Sequence, residues 1–342
     1  MKKIENLSVI IMAAGKGTRM KSSLPKVLHQ VSGKPMLEHV IDSVSEFLPD
    51  KIITIVGHGS EQVKEYFKNF DRLAWVEQKE QLGTGHAVMQ VFPELENYQG
   101  NVLILSGDVP LLSAITIEKI FEVHQQEKAD ATILTTIMDN PFGYGRIIKD
   151  NNENIVKIVE EKDCSKQEKE VKEINSGTYC FNWQYLNKFL KQITPKNAQG
   201  EYYLTDVIQL FVDNNLKVRS FITEKIEEVT GINDRPTLAE IENIMLEKTL
   251  KDIMISGVTI KSTKTTYINS TVKIGNDSII NPNTTIEGNT IIGSNCIIGP
   301  NVYIKDSIIG DNVEVSFSTI KNSEVLTNSK ISSFSELIGK KL

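Results

Sequence analysis

Isoleucine recurs at every sixth position over a long stretch in the C-terminal part of the chain. The positions are Ile274, Ile280, Ile286, Ile292, Ile298 and Ile304, and a glycine directly follows three of them. Asparagine and small polar residues fill the intervening turns. One aliphatic residue in every six is typical of coils that each stack three short strands. The period therefore predicts a left-handed parallel β-helix.

The same period sets the predicted extent of this β-helix. It runs from about Ile253 to Ile320, which amounts to about four coils of about eighteen residues each. Beyond Ile304 the phase shifts, and from Ser332 the repeat is no longer visible. A β-helix this short has few coils and an exposed aliphatic face. We therefore expect neighbouring chains to supply further burial along this domain.

A second constraint lies near the N-terminus, where an apolar run ends in a glycine-rich basic turn. Leu7–Ala13 has the length and β-branched content of a buried parallel strand. The glycines of the following segment, AGKGTR, let backbone approach a ligand closely. Exposed N–H groups in such a turn suit phosphate oxygens, and Lys16, Arg19 and Lys26 add positive charge. The turn is a candidate nucleotide site, although a strand connection that merely needs glycine is an alternative.

Strands and helices alternate between this turn and the β-helix. The predicted strands include Lys51–Gly57, Leu73–Val76, Asn101–Leu105, Ala131–Met138 and Val218–Ile222. This alternation predicts a mostly parallel sheet with ligands at the carboxyl ends of its strands. The basic turn, Gln78, Gly83-Thr84 and Asp108 all fall at such ends. A helix is predicted from Pro236 to about Lys251.

Composition limits the classes of function that remain. The chain has 342 residues, enough for two domains, and carries 38 Lys and Arg against 44 Asp and Glu, a net charge of −6. That balance argues against general binding to nucleic acid or to anionic membranes. The three cysteines lack metal-ligand spacing, and no stretch approaches the ~20 apolar residues of a membrane span. We therefore expect a soluble, cytoplasmic protein with reduced thiols.

Eight short motifs, taken in order, resemble those of one enzyme family. They are AAGKGTRM, LPKVLH, EQLGTGHA, GDVPL, GYGRI, EINSG, QGEYYLTD and GIND. Several are shared among sugar-nucleotide pyrophosphorylases. Their combination, followed by a helix and a β-helix, most resembles the bacterial N-acetylglucosamine-1-phosphate uridylyltransferases, which form the N-terminal part of a bifunctional enzyme. The resemblance covers about Leu7 to Ile320.

The resemblance implies a fold and an activity. The fold is α/β: a Rossmann-like nucleotide-diphospho-sugar transferase domain with a mostly parallel sheet at 1–233, a linking helix at 234–252, and a shortened left-handed β-helix at 253–342. The activity is attack by the phosphate oxygen of N-acetylglucosamine-1-phosphate on the α-phosphate of UTP. The products are pyrophosphate and UDP-N-acetylglucosamine, a precursor of cell wall and lipopolysaccharide. Mg²⁺ is the implied cofactor. The similar enzymes are trimers packed along the β-helix, so the resemblance also implies a homotrimer.

The resemblance also assigns roles at the nucleotide end of the site. The residues that correspond to the uridine- and phosphate-lining group are Met12, Ala13, Ala14 and Gly15. Those that correspond to the group reading the uracil are Gln78, Gly83 and Thr84. Lys16, Arg19 and Lys26 would hold the phosphates and act as the catalytic cations. No acid–base role is needed in this reaction, so the histidines are interpreted as structural.

At the sugar end, the resemblance points to Gly145, Glu160 and Asn175 as the residues that bind the amino sugar. Ser106 and Gly107 complete the substrate-binding set, and Ser106 stands where some relatives carry an aromatic residue. The magnesium ligands correspond to Asp108 and Asn233, a pair of hard oxygen donors that leaves room for phosphates and water.

Other interpretations remain open at this stage. Asp108 could cap the next helix, Asn233 could be only a turn residue, and Glu160 lies in a charged run of a kind that is usually solvated. The protein could also be a pyrophosphorylase for another sugar, such as glucose, or a non-catalytic regulatory subunit of the same architecture. The presence of Lys26, Asp108 and Asn233 together argues against a regulatory subunit.

Members of the bifunctional family also acetylate glucosamine-1-phosphate, at a site far along a longer β-helix. In this sequence no histidine follows His124, so the acetyl-transfer base of the family has no counterpart in the predicted β-helix. We expect the chain to lack acetyltransferase activity.

Overall fold

The computed structural model describes residues 3–342. The chain divides into two compact units, one formed by residues 3–29 and Pro35–Arg235, the other by Gln30–Lys34 and Pro236–Leu342. None of the helices in residues 3–342 combines the length and apolar character needed to cross a membrane. The three cysteines are all unpaired thiols.

The first unit is built on one large sheet. Up to residue 235 the strands are β1 (Leu7–Ala13), β2 (Gln30–Val31), β3 (Lys34–Pro35), β4 (Lys51–Val56), β5 (Leu73–Glu77), β6 (Asn101–Ser106), β7 (Ala131–Ile137), β8 (Gly145–Lys149), β9 (Ile155–Val159), β10 (Glu173–Asn182) and β11 (Val218–Ile222). The main sheet has the order β11-β7-β10-β6-β1-β4-β5, and β8 and β9 are joined to it through β10. Six of its strands continue the predicted parallel arrangement, whereas β10 runs antiparallel to both neighbours.

The centre of the sheet explains where the site lies. β1 pairs in parallel with β4 on one side and with β6 on the other, and Met12 is opposite Ile55 and Ser106. Nearly every β1 residue is buried, since helices cover both faces, which is why the strand reads as a continuous apolar run. The residues after β1, β4, β5 and β6 therefore meet at one edge of the sheet, as the alternating pattern predicts.

Eight α-helices have assigned bounds within residues 3–342, besides four short 3₁₀ helices. They are α1 (Met36–Ser45), α2 (Ser60–Tyr66), α3 (Thr84–Met89), α4 (Ala114–Gln126), α5 (Lys166–Lys169), α6 (Trp183–Leu190), α7 (Asp206–Asp213) and α8 (Arg235–Ile255). Ser113 caps α4 by accepting a hydrogen bond from the Thr116 amide. The cap after GDVPL is thus supplied by Ser113, which leaves the Asp108 side chain available for another role.

The second unit is a parallel β-helix that follows α8. Its strands are β12 (Thr259–Ile260), β13 (Tyr267–Ile268), β14 (Lys273–Ile274), β15 (Ile279–Ile280), β16 (Thr285–Glu287), β17 (Ile291–Ile292), β18 (Ile297–Ile298), β19 (Tyr303–Lys305), β20 (Ile308–Ile309), β21 (Glu314–Val315), β22 (Thr319–Lys321), β23 (Glu324–Val325), β24 (Lys330–Ile331) and β25 (Glu336–Ile338). They form three ladders, and the repeating isoleucines fill the interior. The predicted fold class, including this β-helix, is confirmed.

The prediction that the repeat ends near Ile320 after about four coils is wrong. Val315 pairs with Ile331 and Ile320 pairs with Leu337, so a fifth coil continues past Ser332. The coils shorten along the chain: Ile279 pairs with a residue 18 positions later, Ile297 with one 17 later, and Glu314 with one 16 later. The later coils have fewer residues between their strands, which breaks the six-residue period, but their inward side chains remain in register.

A short early segment belongs to this second unit. The Ser32 amide donates a hydrogen bond to Glu242 at 2.8 Å, and the Ser270 amide donates to the Ser32 hydroxyl at 3.0 Å. Gly33 has φ +87°, and a Cβ there would lie 2.7 Å from the Asn269 side chain. A side chain at position 33 would therefore clash, which explains why glycine occupies it.

Candidate active site

The glycine-rich turn leaves β1 at the ligand edge of the sheet. Gly15, Lys16 and Arg19 are exposed. Gly17 has φ +60°, and a Cβ there would lie 2.6 Å from the Cβ of Lys26. The glycine therefore lets the stem of Lys26 pass directly against the turn. The turn that is predicted to bind phosphate therefore lies directly beside Lys26 of the LPKVLH motif.

Lys26 joins the two predicted metal ligands. Its ammonium donates hydrogen bonds to the Asp108 carboxylate and, at 2.7 Å, to the Asn233 side-chain oxygen. The Lys26 and Asp108 side chains are only 12% and 21% exposed. The amide of Ile232 donates to the Asp108 carbonyl at 2.9 Å, which ties the segment after β6 to the GIND motif. The structure therefore brings together three residues that lie far apart in the sequence.

The chemistry of this cluster fits a divalent cation. Two oxygen donors, one of them a carboxylate, converge on a single positive group, and carboxylate and amide oxygens are the ligands that Mg²⁺ prefers. Residues 3–342 contain no group of three or more His, Cys, Asp or Glu side chains arranged to hold a metal on their own. Substrate phosphates and water would therefore have to complete the coordination. Asp108 and Asn233 fit a shared protein–nucleotide metal site better than an all-protein cage.

The residues predicted to read the uracil form a connected turn after β5. Gln78 is buried, and its amide nitrogen donates to the Gly83 carbonyl at 3.0 Å. Gly83 has φ +108°, and a Cβ there would lie 2.5 Å from the Tyr202 carbonyl. The Thr84 hydroxyl accepts a hydrogen bond from the Leu204 amide at 3.0 Å. The turn is thus held rigidly against the YLTD motif, and its backbone groups have fixed directions.

A pocket of about 200 Å³ lies beside this edge of the sheet. It is lined by the three predicted sugar-binding residues, Gly145, Glu160 and Asn175, together with Met12, Thr84 and Ser106. Sequence reasoning missed several further lining residues: Gly143, Tyr144, Ser176, Gly177, Tyr179, Leu204 and Thr205. All of them lie within or next to the motifs GYGRI, EINSG and QGEYYLTD. These motifs were therefore the sequence signal from which the additional lining residues could have been predicted.

Glu160 is the buried carboxylate of this pocket. The Thr205 hydroxyl donates to it at 3.0 Å. Burial raises the pKa of Glu160 above its usual range, the Thr205 hydrogen bond opposes that rise, and the charges of Asp163 and Glu201 add to it. Burial and nearby carboxylates also raise the pKa of Asp206 to about 6. Glu160 is therefore part of the pocket wall and not of a solvated charge run.

This arrangement predicts how sugar binding depends on pH. If ionised Glu160 accepts hydrogen bonds from sugar hydroxyls, the KM for the sugar phosphate rises when acidification protonates it. Replacing the exposed Asp163 with Asn removes a negative charge that disfavours the ionised form, so the rise should move to lower pH. KM measured between about pH 5 and pH 8 for Asp163→Asn and for the exposed control Asp213→Asn checks this. Identical profiles for both variants would contradict it.

The remaining predicted residues lie either at the ends of β1 and β6 or on the exposed glycine-rich turn. The Gly107 amide donates to the Met12 carbonyl at 2.9 Å, so the ends of β1 and β6 stay close and Ala13 and Ala14 are buried beneath the turn. The structure does not bring the side chains of Lys16 and Arg19 into the Lys26–Asp108–Asn233 cluster. They stand exposed on the turn, where an anionic ligand could reach them.

The fold and this site define a nucleotidyltransferase that carries a hexapeptide β-helix. The nucleotidyl transferase family profile matches residues 8–227, and the bacterial transferase hexapeptide profile (six repeats) matches residues 271–306. Among curated relatives, the bifunctional protein GlmU of Streptococcus thermophilus is 46% identical over 96% of this chain and 71% of its own length. The GlmU proteins of a Geobacillus species and of Pelotomaculum thermopropionicum are each 47% identical, over 96% and 94% of this chain and 71% and 70% of their own lengths.

The chain therefore belongs to the GlmU family of bifunctional proteins, which confirms the resemblance drawn from its motifs. It is a nucleotidyltransferase of the UDP-N-acetylglucosamine pyrophosphorylase type.

Proposed function

We propose that the protein joins UTP and N-acetylglucosamine-1-phosphate to form UDP-N-acetylglucosamine and pyrophosphate, using the residues described above. The observation that carries the proposal is the convergence of Lys26, Asp108 and Asn233. Asp108 follows two residues after Ser106, which lines the 200 Å³ pocket. A cation-holding cluster beside a polar pocket suits the reaction of an anionic sugar phosphate with a nucleoside triphosphate.

The chemistry needs positive charge and alignment more than it needs a base. A phosphate oxygen of the sugar phosphate forms a new bond to the α-phosphorus of UTP, and the bond from that phosphorus to the bridging oxygen breaks as pyrophosphate leaves. Lys26 can neutralise charge that develops on the phosphates, and exposed Lys16 and Arg19 can hold the departing pyrophosphate. A magnesium ion bound by Asp108 and Asn233 would supply further positive charge there.

The residues at the sugar and uracil ends of the site would hold the two reactants in position. Glu160, Asn175 and the backbone at Gly145 converge on the 200 Å³ pocket and would bind sugar hydroxyls and the acetamido group. The turn of Gln78 and Gly83 would present hydrogen-bonding groups to the uracil. Fixing both reactants in this way removes much of the entropic cost of bringing them together.

Steady-state assays test the proposal. Purified protein is incubated with UTP, Mg²⁺ and a panel of sugar-1-phosphates, and pyrophosphate release is followed. N-acetylglucosamine-1-phosphate should be the preferred acceptor. Preference for glucose-1-phosphate would make the protein a different pyrophosphorylase, and no turnover with any sugar would favour a regulatory subunit. Location in the cytoplasm and the absence of nucleic-acid or membrane partners stay predictions.

We propose that the β-helix associates into a homotrimer, because two of its ladders carry exposed isoleucines in the middle coils. Ile291, Ile297 and Ile308 are 46%, 42% and 53% exposed and stand at outward positions of the middle coils. Ile297→Glu combined with Ile308→Glu should lower the mass measured by light scattering from trimer to monomer, since it places charges in an apolar contact. Thr285→Glu, on the third ladder, should leave the mass unchanged. A wild-type chain already monomeric at micromolar concentration would contradict the proposal.

We expect no acetyl transfer by residues 1–342, although the relatives are named as bifunctional. Moving an acetyl group from a thioester to an amine requires a base for the ammonium proton, most often histidine, and the β-helix of residues 253–342 contains none. Protein with acetyl-CoA and glucosamine-1-phosphate should release no free thiol above the uncatalysed rate. Pyrophosphate release in the same preparation is the positive control, and enzyme-dependent thiol release would overturn the expectation.

A further inference from the structure

One wall of the sugar pocket is formed by an irregularity in β10. The register of β10 against β7 shifts between Asn175 and Tyr179. Before the shift, Asn175 is paired with Gly145 of β8; after it, Tyr179 is paired with Ile104 of β6. On one side the strand changes partner from β8 to β6 where the pocket lies, while β7 stays paired on its other side. Ser176 and Gly177 of the bulge line the pocket.

The side-chain amide of Asn175 is held by two hydrogen bonds at this bulge. Its oxygen accepts from the Gly177 amide at 3.2 Å, and its nitrogen donates to the Tyr179 hydroxyl at 2.7 Å. Asn175 is 8% exposed. An amide side chain has an oxygen and a nitrogen of nearly equal size, so only such bonds determine which of them faces a ligand. One N–H hydrogen and one oxygen lone pair remain for the pocket.

Tyr179 is itself fixed and uncharged. It is 2% exposed, and its ring stacks on Phe181 with centroids 5.4 Å apart. Burial raises the pKa of its phenol, and the nearby charge of Glu160 raises it further. The hydroxyl thus stays protonated at neutral pH and accepts from Asn175 with a lone pair, while it also lines the pocket.

We propose that Tyr179 is a positioning residue for sugar binding: its hydroxyl, together with the Gly177 amide that sets the orientation, holds the Asn175 side-chain amide in the position that the amino sugar requires. This rests on the proposed function, because it assumes that the 200 Å³ pocket receives the N-acetylglucosaminyl group. Without the hydroxyl, one N–H of Asn175 loses its buried acceptor, and the side-chain amide is held by the Gly177 hydrogen bond alone.

Tyr179→Phe tests this, because it removes one oxygen and keeps the stacked ring. We expect the KM for N-acetylglucosamine-1-phosphate to rise about tenfold, the usual scale for one buried hydrogen bond, whereas the KM for UTP and kcat change little. Tyr98→Phe is the matched control. Its hydroxyl is also partly buried and hydrogen-bonded, to Asp50 and to the Asn101 carbonyl, but lies outside the pocket. Tyr98→Phe should leave all three constants unchanged.

A double-mutant cycle with Asn175→Ala shows whether Tyr179 acts through Asn175. If it does, adding Tyr179→Phe to Asn175→Ala raises the sugar KM no further. Independent, multiplying effects would overturn the proposal, as would an unchanged sugar KM in Tyr179→Phe. A uniform loss of kcat, both KM values and melting temperature would reveal a merely structural role and also overturn it. A wild-type enzyme that does not use N-acetylglucosamine-1-phosphate would instead refute the proposed function, and the inference with it.

Discussion

Replacing Asp108 with Asn should lower kcat for pyrophosphate release by about 10³-fold, at the upper end of the cost of removing one charged group from a phosphoryl-transfer site. The substitution keeps the shape of the side chain and an oxygen for Lys26, but it removes the carboxylate charge at the proposed metal site. Melting temperature should fall by only a few degrees, because the asparagine oxygen can still accept a hydrogen bond from Lys26 and only the charge of the pair is lost.

The contrast between activity and stability is what makes this experiment informative. Asp213→Asn removes an equivalent charge from an exposed position of the same unit and should change neither quantity. If Asp108→Asn lowers activity only in proportion to a loss of folded protein, Asp108 is a structural residue. Binding of Mn²⁺, followed by electron paramagnetic resonance, should weaken in Asp108→Asn and remain unchanged in Asp213→Asn.

Lys26→Met should reduce transition-state stabilisation by about 2–4 kcal/mol, which corresponds to a loss in kcat of roughly 30- to 1000-fold. Methionine preserves the aliphatic stem that packs against Gly17, so that the effect reports the missing ammonium. In this largely buried site the ammonium would face charge that develops on the phosphates, and poor screening by water raises its expected contribution. Single-turnover rates at saturating UTP and sugar phosphate measure the chemical step directly.

The control for Lys26 is Lys68→Met, which breaks an exposed ion pair with Glu65 in α2. Such pairs contribute little to stability and none to the site, so kcat should not change. A loss of less than tenfold in Lys26→Met would remove Lys26 from the group that contacts the phosphates. It would leave Lys16 and Arg19 as the principal cations.

The clustering of the residues proposed to bind the nucleotide could largely be predicted, because they follow successive parallel strands in the sequence. Buried parallel strands leave continuous apolar runs, and the residues after β1, β5 and β6 must then share one edge of the sheet. Lys26 and Asn233, however, are 207 positions apart and contact each other only in the folded chain. Their pairing could be proposed from the family resemblance, but not from any local pattern.

The pocket proposed to bind the sugar was harder to predict, because a register shift in β10 forms one of its walls. No periodic signal distinguishes the bulge at Asn175–Tyr179 from regular strand, and the antiparallel direction of β10 departs from the alternating pattern. The β-helix shows the opposite difficulty. Its period is so strict up to Ile304 that the shorter coils after it look like the end of the repeat, although Leu337 is still buried in register.

Because Gln30–Lys34 belongs to the second unit, the two units cannot be expressed separately by cutting the gene at one place. No single cut between codons separates the two units, since a fragment beginning at Pro236 omits the peptide that supplies the Ser32 partner of Glu242 and Ser270. Conversely, a fragment ending at Arg235 retains residues 30–34 but lacks Glu242 and Ser270, the hydrogen-bond partners of Ser32. Expression of the first unit alone should therefore replace residues 30–34 with a linker, and expression of the second unit should include that segment, instead of simple truncation at residue 235.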